Sequence, residues 1–235
     1  MRAIAGAIAA IGVIVLGAWP VTTRYGVDYQ WSIKRISLFE KTVNFVSRDV
    51  QLRRLATEVA GSASGEAQKA LAIFAWVVRN VRPTPQGFPI VDDHVLHILI
   101  RGYGAPDQRA EALAVLASYN GMPATAAPVS IPEGRVSLAL TLVRIDRRIA
   151  VFDVTHELAF RNSAGVLADL DEIAREPALV INAVRGISVS GVPYERYVDA
   201  IRGLRPVFDR MERQKLWPRI KFEVGRWAHA GGHAR

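Results

Sequence analysis

Hydrophobic and polar positions divide the chain into stretches of different period. Residues 3–19 are apolar without a break after Met1 and Arg2. At about 1.5 Å per residue such a helix would reach roughly 25 Å, the short end of a bilayer crossing. An uncleaved signal anchor over residues 1–21 is the expectation, with Trp19 at the interface. A cleaved secretory signal is the competitor, but Leu16 fits poorly in the small-residue site that would end at Ala18. Residues 22–48 are mixed, with irregularly spaced aromatics, and read as a membrane-proximal connector. From Asp49, a suitable N-cap, Val50, Leu52, Leu55, Ala56 and Val59 recur at helical spacing until 61–65 (Gly-Ser-Ala-Ser-Gly) breaks the run. Ala67, Ala70, Leu71, Phe74, Ala75 and Val78 predict a second amphipathic helix over 66–80. A proline-rich loop follows, then a short helix holding Val95, Leu96, Leu99 and Ile100 that Asp92 or Asp93 could cap.

The central pattern is a glycine-rich turn, Gly102-Tyr-Gly-Ala, opening a helix at Pro106. A proline suits the first helical position, where a missing N–H costs nothing, and Asp107 suits the positive end of the helix dipole. Ala110, Leu113, Ala114 and Ala117 give this helix a small-residue packing face, and Asn120-Gly121 stops it before a strand. The period then changes from 3.6 to 2. Val136, Leu138, Leu140 and Leu142 alternate with Ser137, Ala139, Thr141 and Val143, and Asp146-Arg147 turns the chain into a second strand, 149–152, that Asp153 closes. Helices followed by an antiparallel hairpin predict an α+β body. A short helix over 167–175, a helix over 194–204 and a basic tail complete the chain, so 49–176 reads as the globular domain and 177–235 as a helical, basic extension.

Composition narrows the chemistry. The chain has no cysteine, which removes disulfides, thiolate metal sites and thiol nucleophiles together. A net charge of +8 favours anionic partners. In the tail, Arg210, Arg213, Lys215, Arg219, Lys221 and Arg226 interleave with Leu216, Trp217, Ile220, Phe222 and Trp227. If helical, that is a basic amphipathic segment suited to anionic lipid. Nucleic acid has charge alone in its favour and no recognised motif. Three histidines outside the tail compete for a role. His94 and His97 could share a helical face as metal ligands beside Asp92 or Asp93, or simply cap and cover a helix end. His156, three residues after Asp153, could work with that acid or be an exposed loop residue.

Several runs match one pattern at matching spacing: 71–80 followed by Arg82-Pro-Thr-Pro; Gly102-Tyr-Gly-Ala-Pro-Asp-Gln-Arg-Ala110; Gly121-Met-Pro-Ala124; Val151-Phe-Asp153; and Phe160-Arg-Asn162. Together they resemble the transglutaminase-like (papain-like thiol enzyme) superfamily over roughly residues 49–175. Bacterial members carry Gly-Tyr-Gly-x-Cys-Asp-Gln-Arg-Ala and Gly-Ile-Pro-Ala. The resemblance implies a central helix packed on an antiparallel sheet, with a cysteine nucleophile, a histidine base and an orienting acid. Carried over by position, the cysteine falls on Pro106, the histidine near Ser137 and Leu138, and the acid on Asp153. Neither Pro106 nor Leu138 can do the work required, and Asp153 alone is retained. The expectation is therefore a catalytically inactive, membrane-anchored binding or scaffold module with no cofactor and no metal. Tyr103, Asp107, Gln108 and Asp153 are its candidate ligand residues. A short anchor ahead of a large domain suggests an inner-membrane, single-pass protein with a periplasmic body, and the resemblance suggests a partner that is a peptide, a glycan or a protein of envelope or exopolysaccharide assembly. Counting positive charges beside the span would instead leave the body in the cytoplasm. The alternative function is a hydrolase using Asp153 with His156, or a metal on His94 and His97.

Overall fold

The computed structural model describes residues 12, 14–27, 30–91, 94–134 and 136–231. Most of the expected anchor lies outside them. Residues 12 and 14–18 are helical, and Pro20 already opens a strand. Among the described residues no helix is long and apolar enough to cross a membrane.

Where a connector was expected there is regular structure. Strands β1 (Pro20–Val27) and β2 (Gln30–Ser37) form an antiparallel hairpin, and helix α1 (Leu38–Ala60) follows directly. Its cap is Ser37, whose Oγ accepts the Glu40 N–H at 3.1 Å. The sequence concealed this helix start because Phe39, Val43, Val46 and Val50 recur at helical spacing on the solvent side, each exposed. Asp49, expected as the cap, sits mid-helix and is buried. Its carboxylate does cap a helix, but a distant one: Oδ1 accepts the Leu216 N–H at 3.0 Å and the Tyr119 hydroxyl at 3.0 Å. Burial, with the Asp49 charge beside it, pushes the Tyr119 phenol well above its ordinary range.

Helix α2 (Glu66–Asn80) buries Ala70, Ile73 and Val77, as its stripe predicted. A two-residue strand β3 (Arg82–Pro83) pairs in parallel with β4 (Tyr103–Gly104), and α3 (Val95–Arg101) lies between them. Helix α4 (Pro106–Tyr119) is central in a stronger sense than its small-residue face suggested. Every residue from Gln108 to Ser118 is buried, polar ones included. Glu111 finds Arg210 at 3.1 Å, so this basic tail residue turns inward to a buried acid. Asn120 supports the helix end, donating to Leu116 O and to Ala56 O of α1.

Strands β5 (Ala124–Val129), β6 (Leu138–Ile145), β7 (Arg148–Asp153) and β8 (Leu158–Ala159) make an antiparallel sheet in that order, including the predicted hairpin. Its central strand is buried on both faces. Val143, Ile145, Ala150 and Phe152 join the core formed with α1 to α4, and Thr141 donates to Ala110 O at 2.9 Å. Leu138, Leu140, Leu142 and Val151 join a second core on the opposite face. That core is completed by the region expected to be an extension. Helices α5 (Leu170–Arg175) and α6 (Ala178–Ala183), strands β9 (Ser188–Val189) and β10 (Val192–Pro193), a 3-10 turn (Tyr194–Tyr197) and α7 (Val198–Arg202) supply Ile173, Val180, Val189, Tyr194, Tyr197 and Ile201. Each large apolar side chain removed from water here is worth about 1.5–3 kcal/mol. Helices α8 (Asp209–Glu212) and α9 (Leu216–Gly231) finish the described chain, with Trp217, Ile220 and Val224 of α9 exposed.

Candidate functional site

The head of α4 is built by close approach. Gly102 ends α3 in the left-handed region (φ 75°), which favours glycine. At Gly104 a β-carbon would meet Gln108 Cβ and Oε1 and Ile98 Cγ2, all at 3.1 Å, so a side chain here would have to push those neighbours back. Ala105 is extended and Pro106 occupies the first turn, exposed. Gln108 closes the turn: its Oε1 accepts the Ala105 N–H at 3.0 Å and the Arg101 guanidinium at 2.9 Å, while its Nε2 donates to Val91 O at 2.9 Å. Gln108 is thus committed to holding the turn.

Asp153 is fully buried at the end of β7. Oδ1 accepts the backbone N–H groups of Thr155 (2.9 Å) and His156 (3.0 Å). Oδ2 accepts the Tyr194 hydroxyl at 2.8 Å and lies 2.7 Å from His156 Nδ1. The Tyr194 phenol is pushed far up, first by burial and then by the Asp153 charge. The His156 ring packs edge-on against Tyr194, with 18% of its side chain exposed, so His156 lies in the turn after β7 as a loop residue but is paired with Asp153 rather than exposed. Leu138 is buried in the second core. Thr141 pairs with Phe152, and continuing that register one step sets Leu140 against Asp153. Leu138 and Asp153 therefore share the sheet face that the C-terminal layer covers, whereas Pro106 heads the helix on the other.

At the head of α4 lies a cavity of about 180 Å³ lined by Pro83, Thr84, Ile90, Gly104, Ala105, Pro106, Arg109 and Thr155. Of the residues the sequence singled out, only Pro106 lines it. Arg109 is 2% exposed. Its Nε donates to Val81 O at 2.8 Å. Burial draws its pKa below the ordinary value, while the Glu157 and Asp153 charges oppose the shift. Thr155 Oγ1 is buried without a hydrogen-bond partner. Arg109 was legible only as part of a matched run. The missed signal was a guanidinium inside an Ala- and Leu-rich helix buried on every side, where a charge must find partners.

The histidine pair has a structural role at His94. Its Nδ1 accepts the Leu96 N–H at 3.2 Å and caps α3, a role the sequence offered to Asp92 or Asp93, which lie outside the described residues. His97, one turn on, is exposed. Among the described residues no group of three metal-ligating side chains comes together. Burial, with Arg48 and His97 adding to it, lowers the His94 pKa from 6.5 to about 3. Between those values the unfolded chain takes up a proton that the folded chain refuses. Stability is therefore kept above pH 6.5 and falls as pH drops toward 3, by at most about 1.4 kcal/mol per pH unit. His94→Asn, which retains an acceptor for the cap, is expected to flatten that slope in urea denaturation at stepped pH. An unchanged slope would mean the proton is taken up elsewhere.

No protein-family model matches the chain, and no curated protein does. Among solved structures it is similar to a candidate cysteine protease from Cytophaga hutchinsonii, at 19% identity and TM-score 0.39, over 53% of this chain and 44% of that one. A crystal structure of a TGase is similar at 13% identity and TM-score 0.41, over 65% and 48%. A candidate protease from Parabacteroides distasonis is similar at 12% identity and TM-score 0.36, over 58% and 36%. Each match spans less than half of the other protein.

Proposed function

We propose that this chain is a catalytically inactive, transglutaminase-like binding module attached to a membrane. One observation carries the reading: the head of the buried α4, where the resemblance puts the nucleophile, holds Pro106, a residue with no nucleophilic atom. Two others support it. The histidine position is filled by Leu138, buried in an apolar core, and the retained Asp153 has both oxygens occupied by internal donors. Membrane attachment draws support from the apolar run over residues 3–19, from exposed Trp19, Phe39 and Val43, and from the basic α9 with exposed Trp217, Ile220 and Val224. A single inner-membrane pass with a periplasmic body fits a short anchor ahead of a large domain. A peptide, a glycan or an envelope- or exopolysaccharide-assembly protein is the partner class, reached by family analogy.

The 2.7 Å Asp153–His156 pair favours a second reading, a hydrolase in which His156 acts as base. The purified chain is expected to leave fluorogenic esters and amides at the buffer rate while retaining envelope peptide or glycan on an affinity column. Hydrolysis that disappears in His156→Ala would replace the first reading with the second. A reporter active only in the periplasm, fused after Arg235, is expected to be active, and its silence beside an active cytoplasmic reporter at the same position would reverse the orientation.

A further inference from the structure

We propose that the cavity at the head of α4 is a carboxylate site, taking a singly charged carboxylate on a short apolar substituent. The inference rests on the binding-module reading and names what the module holds. Three independent features converge there. First, α4 runs for 14 residues and presents its positive N-terminal end to the cavity. Second, Arg109 is 2% exposed and lines the cavity, yet among the described residues the bond from Nε to Val81 O is the one hydrogen bond its side chain makes. With Nε engaged, the Nη end is what remains to meet a ligand. Two N–H groups on a planar guanidinium match the two oxygens of a carboxylate. Third, Thr155 Oγ1 is buried without a partner on the same wall. A buried hydroxyl left incomplete is costly to the fold unless something completes it, and the Nη end of Arg109 gains from an acceptor placed beside it.

The surroundings set the charge and size of the ligand. Glu157 and Asp153 act on Arg109 electrostatically, so both repel any anion bound there, and a monoanion meets about half the repulsion that a phosphate dianion would. Pro83, Ile90, Ala105 and Pro106 make the remaining wall apolar, and about 180 Å³ holds a carboxylate with a few carbons attached. The terminus of a peptide and a free short-chain acid share this chemistry.

The test titrates the full chain, at constant ionic strength, with acetyl-dialanine bearing a free C-terminus, with its C-terminal amide, and with sodium propionate, by calorimetry. The free-acid peptide is expected to bind at least about tenfold more tightly than the amide, because the amide leaves the Arg109 guanidinium unpaired. Propionate binding as tightly as the peptide acid identifies a small-acid site; a tighter peptide acid identifies a chain-terminus site. Thr155→Val removes only a hydroxyl on which no hydrogen bond of the fold depends, and it is expected to weaken acid binding several-fold. Arg109→Lys is expected to weaken it more. Equal affinity for acid and amide, binding by none of the three, or full acid affinity in Thr155→Val and Arg109→Lys would overturn the carboxylate site. Should acid and amide bind equally without being consumed, the binding-module reading survives and the carboxylate site falls. Should the acid bind and also be turned over, the site survives and the inactive reading falls.

Discussion

Replacing Asp153 by alanine is expected to destabilise the protein by about 4 kcal/mol. The change strands the Tyr194 hydroxyl, two backbone N–H groups and His156 Nδ1 around a new hole. Each buried donor left without an acceptor costs about 1–3 kcal/mol. The partly exposed His156 recovers some of its loss through water, which holds the sum near the lower end. Asp153→Asn keeps one acceptor oxygen and is expected to lose only about 1–2 kcal/mol. Urea denaturation of both variants checks the ranking. If alanine loses less than about 1 kcal/mol, the carboxylate is not the peg between sheet and C-terminal layer that its bonds make it.

The second large effect concerns the two positions where the proposed function puts a nucleophile and a base. The double change Pro106→Cys and Leu138→His puts a thiol and an imidazole at those positions, and it is expected to give no turnover while costing about 3 kcal/mol. The cost comes from putting an imidazole where Leu138 packs with Val129, Leu140 and Tyr197. Turnover fails because Asp153 has no oxygen to spare for a new histidine: His156 and Tyr194 already hold Oδ2, and two backbone groups hold Oδ1. Pro106→Cys alone is expected to lose under about 1 kcal/mol, since proline here mainly restrains the unfolded chain. Its thiol, at a helix N-terminus, is expected to react quickly with iodoacetamide. Ester hydrolysis by the double variant above the Pro106→Cys background would mean that the frame was one residue pair from activity.

The parts of the fold legible in the sequence were those whose partners are near in the chain. Helix α2 announced itself by its stripe, α4 by the proline and the Asn-Gly stop, and the β6–β7 hairpin by its change of period. The parts that were not legible depend on distant contacts or on reversed exposure. The start of α1 was hidden because Phe39, Val43 and Val46 put apolar groups toward solvent, so the usual inside–outside contrast is absent. The second core was hidden because β6 alternates between two sets of apolar residues rather than apolar and polar ones, a pattern that half reveals a doubly covered strand. At the site, Asp153 was legible by its place after a strand. Its pairing with Tyr194, 41 residues away, was not, and nor was the burial of Arg109.

Asp49 carries a consequence for how the protein comes apart. One carboxylate joins α1 to the Tyr119 end of the central helix and to the first amide of α9, closing a span of 167 residues. Because closure entropy grows only logarithmically with such a length, the bond costs only about 1 kcal/mol more to close than one spanning a third of the distance. It makes the opening and closing thirds of the chain neighbours at this one carboxylate. Trimming the polypeptide before Leu216 to obtain a smaller body would leave a buried acid short of a donor, and the damage would surface at the other end of the molecule, in α1.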